Sequence, residues 1–174
     1  MIEKIINLSR SQKKLDNGLS TSLQVGKAAE HLACASLLLQ GYNAFLSEAG
    51  LPYDILVDHN GKFHKIQVKS TCKMIQSRPK KNGATYLSTY RFAIRKGRVM
   101  QRKIKLDTCD FLALVALDIK AVAFVPTSMM NREDGYSKQC IELKTRRVKY
   151  DNGKAGPDPN KFGKFIEDYY EFKP

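Results

Sequence analysis

The chain has 174 residues, of which 43% are hydrophobic and 27% charged. Such a chain suits one folded domain burying roughly 70% of its unfolded surface, which excludes disorder of the whole chain. Thirty Lys and Arg against 17 Asp and Glu give a formal charge of +13, which favours a polyanionic partner, nucleic acid being the usual one.

No apolar stretch approaches the 18 or so residues a membrane helix needs. The opening Met1-Ile2-Glu3-Lys4 has no apolar core of a secretory signal. Cys34, Cys72, Cys109 and Cys140 form no CxxC pair, so neither a zinc knuckle nor a disulfide framework is expected. These features together predict a cytoplasmic protein with free thiols.

In chain order, residues 1–20 read as an N-terminal arm or short helix. A helix is predicted over Ser22–Gln40, capped by Thr21 or Ser22 and stopped by Gly41. Its stretch Ala28–Leu39 is broken only by Glu30, His31 and Ser36, which predicts burial on most sides. Strands follow at Tyr42–Leu46, Tyr53–Asp58 and Phe63–Thr71, the last two joined by Asn60-Gly61, the strongest short hairpin signal. Ala84–Arg95 and Arg98–Leu106 read as a two-stranded arm turning at Lys96-Gly97. Phe111–Leu117 and Ala121–Val125 read as core strands, Ile141–Lys144 as an edge strand, and the tail from Asp151 as a segment that packs back through its aromatic residues. The expected architecture is α/β (α+β): a central mixed sheet flanked by helices, with a basic β-ribbon arm. One domain spans 1–174, with core motifs in 21–71, the basic arm in 72–106, core strands in 107–150 and a tail in 151–174.

A two-residue turn at Asn60-Gly61 sets the register. His59 faces Lys62, Ile55 faces Ile66, and Asp54 faces Gln67, with opposed Cβ atoms about 4.5–5.5 Å apart. Alternation puts Gln67 and Lys69 on one face and His64, Ile66, Val68 and Ser70 on the other. Asp54, Gln67 and Lys69 then converge on one patch. A carboxylate and an amide oxygen are hard ligands suited to Mg²⁺, and the Val68 carbonyl is a further oxygen within reach. A neighbouring lysine can orient a nucleophile or stabilise a developing anion. Glu30 has Gly26, Ala33, Cys34 and Leu37 as helical neighbours, a setting in which an unpaired carboxylate is costly. His31 and His64 receive no role, and the cysteines read as small apolar fillers.

Gly26 to Glu30, Gly41, Pro52-Tyr53-Asp54 and Ile66-Gln67-Val68-Lys69-Ser70, in this order, resemble the core of the PD-(D/E)XK nucleases. The resemblance covers about Gln24–Ser70. It implies a restriction-endonuclease-like fold and catalytic roles for Glu30 (helix acid), Asp54 (metal aspartate), Gln67 and Lys69, with Mg²⁺ held by Asp54, Gln67 and Val68, or Mn²⁺ in its place. The departure is Gln67, where the family usually has an acid. Group I intron-encoded homing endonucleases of this class carry Gln there, and the chain is most similar to them. Such members cut double-stranded DNA as symmetric oligomers, which implies a homodimer or homotetramer.

Thr71–Leu106 holds six Lys, five Arg and no acid, leaving 19 bases and 17 acids elsewhere. Interleaved with Tyr86, Tyr90 and Phe92 on a ribbon, these bases could follow phosphates along a major groove. The DNA-binding candidates are Lys73, Arg78, Lys80, Lys81, Arg91, Arg95, Arg98, Gln101, Arg102 and Lys103. The expectation is a Mg²⁺-dependent, site-specific DNA endonuclease. The alternatives are a Holliday-junction resolvase or other structure-specific nuclease, and a non-catalytic nucleic-acid-binding module.

Overall fold

The Asn60-Gly61 turn forms as its sequence requires. Asn60 and Gly61 take φ of 54° and 79°, the pair of positive values a type I′ hairpin needs. The Gly61 N–H donates to Asp58 Oδ1 at 3.0 Å. The computed structural model describes residues 21–48, 50–75, 89–94, 108–130, 140–145 and 165–174. In chain order these give α1 (Thr21–Leu39), β1 (Asn43–Leu46), β2 (Ile55–His59), β3 (Lys62–Thr71), β4 (Thr89–Ala93), β5 (Phe111–Ala116), β6 (Ala121–Pro126) and β7 (Cys140–Lys144).

Five strands form a mixed sheet in the order β1-β2-β3-β5-β6, antiparallel except for the parallel β3–β5 pair. Every residue of β5, and all of β6 but Pro126, is buried, because this half of the sheet is covered on both faces. One cover is α1, whose Ala29, Ala33, Cys34 and Leu37 pack with Ile55, Val57, Ile66, Val68, Ala113 and Val115. The other combines β4 and β7 with the 3-10 turns Thr127–Met130 and Ile166–Tyr169, around Leu112, Leu114, Ala123, Val125, Tyr90 and Phe92.

Two expectations are corrected here. The helix is buried along one stripe rather than on most sides: Leu38 and Leu39 are 54% and 89% exposed. Its burial repeats at positions 29, 33 and 37, the i, i+4 spacing of a single face, since only the sheet side is packed. Tyr90 and Phe92 are fully buried core residues, not aromatics interleaved on an exposed ribbon. Among the described residues β4 pairs with β7, with Arg91 opposite Glu142. The expected partner strand Arg98–Leu106 lies outside the described residues.

The C-terminal end of α1 closes as a Schellman motif. Gly41 sits at φ +88°, its N–H donates to Leu38 O at 3.0 Å, and the Tyr42 N–H donates to Leu37 O at 3.1 Å. The chain's last residues then return to this corner. Gln40 takes the Phe172 N–H at 2.8 Å and donates to Tyr170 O at 3.0 Å. Tyr42 OH donates to Phe172 O at 2.9 Å. The Phe172 ring meets Tyr42, His64, Phe111 and Phe124.

His64 in this cage is 4% exposed, and its Nε2 has no hydrogen-bond partner among the described residues. Burial first, then Lys62 and His59, hold its imidazole below the ordinary value of 6.5, with Asp110 opposing them. A histidine whose proton affinity falls on folding contributes stability above its unfolded value, and loses it as pH drops below about 6.5. Unfolding temperature should therefore fall as pH is lowered from 7.5 to 5.5. His64→Phe should flatten that slope, as thermal melts across the range would show.

Candidate active site

Asp54 stands where β2 leaves β3. The register runs as expected from His59↔Lys62 to Ile55↔Ile66, then stops. Asp54 has no ladder partner, so the expected pair with Gln67 does not form as a ladder pair. Its N–H donates to Ile66 O at 2.9 Å, and its C=O accepts from Ser47 N–H at 2.9 Å. The carboxylate, rather than the backbone, takes the next donor: Val68 N–H to Asp54 Oδ2 at 2.7 Å. The side chain thus lies across the fork between the strands, one residue beyond the expected position. A hydrogen bond to a strand N–H fixes it in that place.

Gln67 and Lys69 share the face of β3 that carries their register partners Leu112 and Leu114 on β5. Gln67 Oε1 is buried and has no hydrogen-bond partner among the described residues. A buried amide oxygen left unpaired costs about 1–3 kcal/mol, a cost that a donor or cation at this atom would relieve. Glu30 comes from α1 on the opposite cover, and its carboxylate pairs with Lys27 Nζ at 2.6 Å.

The electrostatics tie these groups together. Burial holds the Asp54 carboxyl above its ordinary range; the Val68 N–H opposes this, Glu30 adds to it, and Lys69 and Lys27 oppose it. Burial likewise pushes the Cys109 thiol up, and that thiol also feels Lys69 and Asp54. Asp54, Glu30, Lys69 and Lys27 therefore share one field. Lys27, the lysine that pairs with Glu30, is marked in the sequence only by its i, i+3 spacing.

Among the described residues no three His, Cys, Asp or Glu cluster so as to hold a metal. A cation here would draw on one carboxylate and neutral oxygens: Asp54, the orphaned Gln67 Oε1 and the Val68 carbonyl. That oxygen-only donor set suits a hard divalent ion. Of the DNA-binding candidates, Lys73 is exposed just past β3. Arg91 is exposed on β4 and pairs with Glu142 at 2.9 Å. Arg78, Lys80, Lys81, Arg95, Arg98, Gln101, Arg102 and Lys103 lie outside the described residues, as does Tyr86.

No curated protein matches the chain. Among solved structures it is similar to the bacterial homing endonuclease I-Ssp6803I, at 22% identity and a TM-score of 0.48, over 79% of this chain and 82% of that one. The family model described as PD-(D/E)XK endonuclease matches residues 20–155, a span that takes in Glu30, the Asp54 fork and Gln67 to Lys69, and the chain belongs to that family of nucleases.

Proposed function

We propose that this nuclease is a Mg²⁺-dependent endonuclease that cuts double-stranded DNA at specific sites. The observation that carries the reading is the buried, unpaired Gln67 oxygen on β3, two residues before Lys69 and beside the fork where Val68 fixes the Asp54 carboxylate. Asp54, Gln67 and the Val68 carbonyl would hold the ion. Bound Mg²⁺ supplies Lewis-acid charge at the phosphodiester and makes water a better nucleophile at neutral pH. Lys69 orients the attacking water and stabilises charge developing on the phosphate. Glu30 adds a second carboxylate on the helix side, for a water or a second ion.

Charge supports DNA as the substrate. The 71–106 stretch has 11 bases and no acid, enough to neutralise several phosphates and to make binding steeply salt-dependent. Cutting both strands needs two sites, so a symmetric dimer or tetramer is expected.

The test is plasmid cleavage with Mg²⁺, with and without EDTA, over a pool of target sequences. Mg²⁺-dependent cuts at a fixed sequence support the reading. Tight binding without cleavage at any Mg²⁺ concentration would favour a binding module instead. Preference for branched over linear DNA of one sequence would favour a structure-specific nuclease.

A further inference from the structure

We infer that Lys27 is the built-in counter-ion of the candidate metal site: it holds Glu30 in the metal-free protein and competes with the incoming divalent ion. This rests on reading Asp54 and Gln67 as metal ligands, and it names a positioning residue of the same site.

The Lys27–Glu30 contact is short, 2.6 Å, and uneven in exposure: the Glu30 side chain is 17% exposed and that of Lys27 54%. As an i, i+3 pair it gives α1 only the modest support of a surface helix pair. The ammonium also acts beyond Glu30, since it opposes burial at Asp54 as Lys69 does.

Formal charge then decides the consequence. Asp54 and Glu30 bring two negative charges, Lys69 and Lys27 two positive ones, and Gln67 none. Among these four groups the formal charges cancel, so Lys27 offsets the attraction that Glu30 would otherwise add for a divalent ion. Lys27 has a long flexible stem in partial contact with solvent. Next to it, a Cβ at Gly26 would meet nothing within 4 Å, so the helix surface there is open. The ammonium can swing out over this open surface toward an anion such as a backbone phosphate, leaving the Glu30 charge uncompensated beside the ion that Asp54 holds.

Mn²⁺ binding to the DNA-free full chain tests this directly, by calorimetry or by the loss of the free-ion electron paramagnetic resonance signal. Lys27→Gln should bind Mn²⁺ on the order of tenfold more tightly than the unaltered chain, the effect of removing one nearby charge from a partly exposed site. Lys27→Met, which keeps the aliphatic stem, should do the same. Lys27→Arg keeps the charge and should stay within about twofold of the unaltered chain. Equal affinity in Lys27→Gln and the unaltered chain overturns the assignment of Lys27, provided that Asp54→Asn weakens Mn²⁺ binding. If Asp54→Asn leaves binding unchanged, the metal site itself is misplaced and the assignment falls with it.

Discussion

Asp54→Ala should lower Mg²⁺-dependent cleavage by about 10³-fold while leaving DNA binding largely intact. A ligand that fixes a Lewis-acidic ion is worth several kcal/mol at the transition state, and each 1.36 kcal/mol is roughly tenfold in rate. On the proposed chemistry Asp54 has two separable jobs: its charge would serve the ion, and its Oδ2 closes the strand fork by accepting from Val68 N–H at 2.7 Å. Asp54→Asn keeps an oxygen for that hydrogen bond and removes the charge, whereas Ala removes both. Asn should therefore match Ala in lost cleavage yet keep about 1 kcal/mol more stability, the net worth of a typical hydrogen bond. Single-turnover cleavage and denaturant unfolding on the two variants would separate the jobs. Lys69→Ala should also lose cleavage, by about 10²–10⁴, the range for a positioned proton-transfer or charge-stabilising group. Cleavage by Asp54→Asn at the unaltered rate would rule out the proposed chemistry.

Local signals carried the catalytic region far, and their limit is visible at one residue. The Asn60-Gly61 turn needs two positive φ angles, so its register follows from a dipeptide, and Gln67 and Lys69 fall on one face by alternation. What the dipeptide does not contain is where β2 peels away. There the Asp54 carbonyl continues the ladder toward β1 by accepting from Ser47 N–H, and the Asp54 side chain is what accepts from Val68 N–H on the β3 side. The same limit applies to the helix. An apolar run such as Ala28–Leu39 does not state which side meets the sheet, and only one did. Strand β4 shows the cost of long-range pairing. Tyr90 and Phe92 lie in a basic stretch, and their neighbours there suggested a ribbon, but their ladder partners Leu143 and Ile141 are about 50 residues away. Alternation along β4 reconciles the two: it buries the aromatics and leaves Arg91 exposed beside Glu142.

The second large effect is on stability, and it comes from the last residues of the chain. Phe172→Ala should destabilise the protein by about 3–5 kcal/mol, the usual cost of emptying a buried aromatic site. Phe172 is 2% exposed and touches four rings drawn from the end of α1, β3, β5 and β6. Its ring fills the corner between the sheet and the helix that carries Lys27 and Glu30. Its backbone is held from both sides, by Gln40 through the N–H and by Tyr42 through the C=O. Tyr42→Phe removes only one of these hydrogen bonds and should cost about 1 kcal/mol. A loss of 3–5 kcal/mol is a large share of the 5–15 kcal/mol that holds a typical domain together. Phe172→Ala should thus shift the urea midpoint far more than Tyr42→Phe. Phe172→Leu, which refills part of the volume, should fall between them. If Phe172→Ala unfolds at the same urea concentration as the unaltered chain, the tail does not support the helix–sheet corner, and α1 must be held against the sheet by its Ala29, Ala33 and Leu37 stripe alone.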